Sequence, residues 1–271
     1  MYPNATDWLA SLRQRASSAR LEHLDVLINA TGLDYPLLES LAALPQPPQP
    51  PQQALLLAGT PEQALAAQGP VLLRLHWANA AQQAWLGTFA TRMHREHRLL
   101  AMLGAWPFEP LAEHLRHCTQ AQWNRGESGG LLRFYDPRLF LAVSDLLSPA
   151  QSDWFHAPVG TWHWIDRDGK AEVLPGLPRH HHEVPHPLPP LLLSNEQVAE
   201  LVAWTDAEAF RTARYLQPEA YGLAKRETLM RHLVRAHLSA DREQIFDDRR
   251  TAWLSNWLAQ HSPAFSEDAV V

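Results

Sequence analysis

Cysteine is nearly absent: Cys118 is the only one in 271 residues. That excludes an intramolecular disulfide and any metal site built from several thiolates, and it fits a reducing compartment. Lysine is almost as scarce, with Lys170 and Lys225 alone, and charge of one sign never accumulates. Residues 1–193 hold 14 Lys and Arg against 17 Asp and Glu, and residues 194–271 hold 9 against 12, so the net charge of -6 divides evenly. A protein that works by neutralising phosphates gathers its cations on one face, so this balance argues against nucleic acid and anionic membrane as main partners. Long apolar runs are missing too. Stretches such as 55–58 and 139–143 fall far short of the ~18 residues a membrane span requires. The start, MYPNATDWLASLRQR, lacks the basic and apolar regions of a secretory leader, so the expected location is the cytoplasm.

What is present is a globular composition, 46% hydrophobic and 19% charged, with enough apolar side chains for two lobes or one large domain. Residues 23–30 (HLDVLINA) read as a buried strand closed by Thr31-Gly32, and 54–58 (ALLLA) and 71–76 (VLLRLH) as strands buried on both faces. Thr60-Pro61-Glu62 starts a short helix through Ala67. Helices are expected over 8–20, 37–44, 80–94 and 107–118, with extended chain over 97–103. Residues 131–135 make a further strand candidate, and Asp136-Pro137 starts a helix over 138–147. Residues 161–165 and 171–174, joined by Asp166-Arg167-Asp168-Gly169, form the clearest hairpin. This mixture predicts an α/β lobe with a mixed sheet and helices over residues 1–174.

Residues 175–190 (PGLPRHHHEVPHPLPP) are too proline-rich for a regular element, which places a proline- and histidine-rich linker at 175–193. Beyond it, residues 194–271 read as a smaller all-α lobe. Ser194 or Asn195 caps a helix to about Gln217, Pro218 opens a second to Leu238, and Asp241 opens a third to Gln260. Their apolar stripes run through Val198, Leu201 and Val202, then Leu229, Leu233, Val234 and Leu238, then Ile245, Trp253, Leu254 and Trp257. The segment 45–51 (PQPPQPP) reads as an exposed polyproline spacer, with a ligand for proline-recognition domains as the alternative.

Three constellations bear on chemistry. Gly126-Glu127-Ser128-Gly129-Gly130 matches the G-x-S-x-G pattern of a serine hydrolase, but the glycines precede a strand candidate instead of a helix, and a glycine-rich turn between strands accounts for the same residues. The histidines recur at metal-ligand spacings, with His94 and His97, His114 and His117, and His180, His181 and His182 followed by Glu183 and His186. No HExxH is present, and a proline loop gives no preorganised coordination sphere, so no metal site is assigned. The third constellation is Arg133-Phe134-Tyr135-Asp136-Pro137-Arg138 with Arg116 upstream. There an aspartate can cap a helix while flanking arginines hold carboxylates or carbonyls, which reads as a structural corner.

At these residues the chain resembles a bacterial domain-of-unknown-function family whose members serve as effector chaperones, or adaptors, of the type VI secretion system. The likeness rests on 131–139 (LLRFYDPRL), with 69–75 (GPVLLRL) and 111–116 (LAEHLR) upstream, and covers about residues 23–147. It extends loosely to Tyr221-Gly222-Leu223 and to 246–254, while the segments 45–51 and 175–190 depart from the family pattern. The resemblance implies a protein that is not an enzyme and needs no cofactor. It would bind a secreted effector protein in the cytoplasm and load it onto the valine-glycine-repeat spike protein of the secretion tube. The alternative is a hydrolase working through Ser128 or a histidine-bound metal. Independently, 11 tryptophans favour an interaction protein, because large aromatics dominate both cores and interface hot spots. Trp204, Trp253 and Trp257 offer more aromatic area than three short helices easily enclose, and are expected to contact a partner.

Overall fold

The apolar run HLDVLIN forms strand β1 (His23–Asn29), buried along nearly its whole length at the middle of a six-stranded antiparallel sheet. Gly32, at φ 62°, makes the left-handed turn that ends the run. The strand order is β2-β3-β1-β4-β7-β8, with β2 (Gln52–Leu55), β3 (Pro70–His76), β4 (Leu99–Leu103), β7 (Thr161–Ile165) and β8 (Ala171–Pro175). The structure, a computed structural model, describes residues 5–44, 50–93 and 96–262, and divides into two compact units, Met1–Leu192 and Leu193–Val271.

Alternation sends the side chains of each strand to two different layers. One face carries Leu24, Val26 and Ile28 of β1 with Leu73 and Leu75 of β3 and Ala101 of β4. It packs on α1 (Ala5–Ser18), α2 (Leu37–Ala42) and α3 (Ala80–Met93) through Trp8, Leu12, Leu41, Trp85 and Phe89. The opposite face carries Asp25, Leu27 and Asn29, paired with Arg74 and Leu72 of β3 and with Leu100 and Met102 of β4. Trp162 and Trp164 of β7 continue this face and meet Phe140 at 4.9 and 5.2 Å between ring centres. This second layer contains α4 (Phe108–Cys118), α5 (Pro137–Leu146) and α6 (Pro149–Phe155). The hairpin of β7 and β8 turns at Asp166 to Gly169, with Gly169 at φ 76° and Asp166 accepting from the Asp168 and Lys170 amides.

Several expected elements differ. The run 54–58 supplies only the end of an edge strand, because the chain turns after Leu55 and buries Leu56 and Leu57 in that turn. The helix after Thr60 is a 3-10 segment, Gln63–Gln68. The strand candidate 131–135 belongs to a separate three-stranded sheet only at its first residue. There β6 (Ser128–Leu131) pairs antiparallel with β5 (Gln120–Trp123), and Phe134 and Tyr135 then enter a turn. Of the proline segment 45–51, residues 45–49 lie outside the described ones.

The first unit runs to Leu192, through most of the segment read as a linker. The Gly176, Leu177 and Arg179 amides donate to the carbonyls of Gly160, His156 and Ala157, and a methyl group at Gly176 would overlap the Val159 carbonyl oxygen. Further on, His117 Nε2 lies 2.8 Å from the Pro189 carbonyl, and β9 (Leu191–Leu192) pairs parallel with β5. Prolines leave these residues without a regular pattern, yet their remaining amides and carbonyls are used one at a time.

The second unit consists of α7 (Asn195–Ala213), α8 (Arg226–Arg242) and α9 (Asp247–His261), with α8 packed on both of the others. Ser194 caps α7 through a reciprocal box with Gln197. Pro218 opens a 3-10 turn, Pro218–Tyr221, before α8, and Asp241 falls inside α8 instead of starting α9. The buried stripe of α7 is Ala203, Trp204 and Ala207, while Val202 is exposed and Val198 and Leu201 are half-buried.

Candidate functional site

The motif Arg133-Phe134-Tyr135-Asp136-Pro137-Arg138 folds as a corner centred on a buried carboxylate. Pro137 takes the first helical position, where its missing N–H costs nothing, and Asp136 becomes the cap of α5 by accepting from the Arg138 amide at 3.0 Å. The Arg138 guanidinium returns on the same carboxylate with two bonds, Nε to Oδ1 at 2.9 Å and Nη2 to Oδ2 at 2.7 Å. Arg133 Nη2 adds a third side-chain bond at 3.1 Å, and Asn29 Nδ2 of β1 reaches Oδ2 at 3.3 Å. Asp136 is 1% exposed, so five donors surround a carboxylate withdrawn from water. The donors fill its acceptor sites and tie the start of α5 to the central strand.

Phe134 and Tyr135 fill the space beneath. Phe134 meets Phe155 edge-on at 5.3 Å, and burial raises the Tyr135 phenol above its ordinary pKa while Arg133 opposes the shift. Arg116 takes no part in this network. Its carbonyl accepts from the Thr119 amide and hydroxyl, and its buried Nε has no hydrogen-bond partner among the described residues. Replacing Asp136 with alanine removes the cap and strands the Asn29 amide, so stability is expected to fall by about 1–2 kcal/mol. Thermal denaturation checks this, and a variant that melts like the parent but loses a partner would make the corner a recognition site.

A second buried charge cluster went unnoticed in the sequence. Asp25 and Arg74 face each other in register across β1 and β3, joined by Nε to Oδ1 at 2.7 Å and Nη2 to Oδ2 at 2.8 Å. The same Nη2 donates to the Trp106 carbonyl at 2.8 Å, and the guanidinium lies over the Phe108 ring. His23 and His76 flank the pair, and desolvation lowers both pKa values. The signal in the sequence was one acid and one base, each alone in an apolar run.

The other sequence candidates scatter. Ser128 opens β6 on the far side of a turn formed by Asn124, Arg125 and Gly126, all at positive φ, so it stands between two strands. His94 lies outside the described residues, and His97 points Nδ1 at the Ile165 carbonyl. His114 and His117 both meet the Trp154 ring, yet one turns to the Phe155 carbonyl and the other to that of Pro189. His180 and His182 stack at 5.4 Å, and His181 meets Trp106. Among the described residues, no three His, Cys, Asp or Glu side chains converge where a metal ion could be held. In the helical unit Trp204 is buried, whereas Trp253 and Trp257 are half-buried beside Ala236, Ala240 and Leu254. His261 stacks on the Trp257 ring at 4.1 Å.

Among the described residues, no helix is long and apolar enough to cross a membrane. Comparison with protein families matches residues 26–153, slightly less than half of the chain, to a domain of unknown function (DUF4123). The matched segment starts within β1, contains Arg74, and includes the whole Asp136 corner. No curated protein and no solved structure matches the chain.

Proposed function

We propose that this chain is a non-catalytic adaptor that binds a type VI secretion effector in the cytoplasm and loads it onto the valine-glycine-repeat spike protein. The observation that carries the reading is that the FYDPR corner, on which the resemblance to such adaptors rests, lies inside the segment matched to the family. The chemistry of the corner agrees, since a carboxylate occupied by five donors has a positioning role and no free lone pair for proton transfer. In this reading the helical unit grips the effector, with the half-buried Trp253 and Trp257 as aromatic anchors and Trp204 holding the helices behind them. The spike contacts the α/β unit.

Changing Ser128 to alanine, or His180, His181 and His182 together to alanine, is expected to leave effector delivery at the parental level. The serine stands on a hairpin, and the histidines spend their rings on each other and on Trp106. Loss of delivery in either variant, or a tightly bound stoichiometric metal in the purified chain, would return the hydrolase reading. Retention of the effector by immobilised chain, lost in folded Trp253→Ala and Trp257→Ala variants, tests the assignment to the helical unit.

A further inference from the structure

We propose that the open edge of β6 takes up an extended segment of a partner protein by strand addition. The inference rests on the adaptor reading only for the expectation that a protein partner exists. In the β5–β6 ladder the Leu132 amide donates to the Thr119 carbonyl at 2.7 Å, which marks Thr119 and Leu132 as a hydrogen-bonded pair. Antiparallel pairs alternate between bonded and non-bonded, so Ala121 with Gly130 and Trp123 with Ser128 are bonded, while Gly129 and Leu131 turn their N–H and C=O groups away from β5. Those outward groups have no hydrogen-bond partner among the described residues, and Gly129 is exposed.

The other sheet edges are guarded more heavily than this one. Pro50 and Pro51 precede β2. Lys170, just before β8, pairs with Glu172 on that strand, which ends in Pro175. Pro189 and Pro190 precede β9, and Gln151 donates its side-chain amide to the Leu192 carbonyl. Prolines, charges and capping side chains are the usual means of blunting an edge. Strand β6, Ser-Gly-Gly-Leu, has no proline, charge or capping contact within it, and only Glu127 stands directly before it. Its glycines also leave the face bare: Trp123 lies across the strand, with Cη2 3.0 Å from where a Gly130 Cβ would stand. An incoming strand therefore finds two outward amide–carbonyl sets and an indole on which one apolar or aromatic side chain can rest. The segment it fits is uncharged and extended, with a large side chain at one alternate position. A second copy is the poorer occupant. Self-pairing of four residues, two of them glycine, buries far less than the ~800 Å² per partner of a stable interface.

The test is selection of a phage-displayed random peptide library on the full chain, followed by affinity measurement with the selected peptides. Enrichment of uncharged, alternating sequences is expected, with slowed exchange of the Gly129 and Leu131 amides when such a peptide is bound. Gly129→Pro removes one outward donor and no β5–β6 ladder bond, and should weaken the peptides about tenfold. Gly129→Lys retains the donor but guards the edge, so it should weaken them as well if the proline variant proves unstable. Absence of enrichment, equal affinity of folded variants, or conversion of a dimer to a monomer by either change would overturn the proposal. None of these outcomes bears on effector delivery, so failure of the edge is distinguishable from failure of the adaptor reading.

Discussion

Arg74→Ala is expected to destabilise the α/β unit by about 3–5 kcal/mol, the cost of leaving a buried carboxylate without its cation. Asp25 is 1% exposed and stands in the central strand, and the guanidinium that would be lost supplies both of its short hydrogen bonds. His23 Nε2, at 3.6 Å, is too far and too desolvated to replace it. The Trp106 carbonyl would also lose a donor. The pair itself is a different matter, since two apolar residues of similar volume often replace a buried ion pair at no cost. The double variant Asp25→Leu, Arg74→Met should therefore recover most of the loss. Denaturant titration of the two single variants and the double variant measures the coupling. A single variant as stable as the parent would contradict this description of the sheet.

A steep loss of stability is expected as the pH falls from 6.5 toward 4. Desolvation depresses the pKa of His114, His156 and His163 to about 4 in the folded chain, against about 6.5 when unfolded. His114 lies between Trp106 and Trp154, with His117 and His156 adding like charge if protonated. His156 is surrounded by Phe140, Phe155 and Trp162, and His163 bonds to the Thr161 hydroxyl while the charge of Arg15 opposes its protonation. Over this window the unfolded chain binds the extra protons, so stability is full above the unfolded pKa and declines below it. The slope approaches about 1.4 kcal/mol per pH unit for each histidine, or about 4 for all three. Urea midpoints between pH 7 and 5, above the range where ordinary carboxylates titrate, isolate the effect. A flat midpoint across that interval would show that these rings are not buried as described.

The elements that sequence periodicity found are those whose buried positions recur regularly along the chain. Strands β1, β3 and β4 are buried on both faces and mostly apolar, and α3, α4 and α5 have recognisable starts or stripes. The corner at Asp136 was equally legible, since capping is local and Asp-Pro encodes it. Its link to Asn29 was not, being set by the docking of α5 on a strand 107 residues earlier. The Asp25–Arg74 pair was hidden for the same reason: each charge is visible in its own strand, but only the register makes them partners. Residues 175–192 were misleading in the opposite sense. Proline density removed the periodic signal, although single amides such as those of Leu177 and Arg179 hold the segment to residues 156–157. The start of α9 was displaced because Asp241 stays in α8 and pairs with Arg250, and the chain reverses at Gln244, which is at φ 56°.

The adaptor reading is tested most directly by deleting this chain from the organism that encodes it and measuring effector in the medium and in attacked neighbours, with an unrelated effector of the same secretion system followed in parallel. The expected result is a cytoplasmic effector that no longer reaches the spike or leaves the cell, normal export of the unrelated effector, and full recovery when the chain or its Ser128→Ala variant is returned. Undiminished export of every effector in the deletion strain, or recovery that requires Ser128, would contradict it.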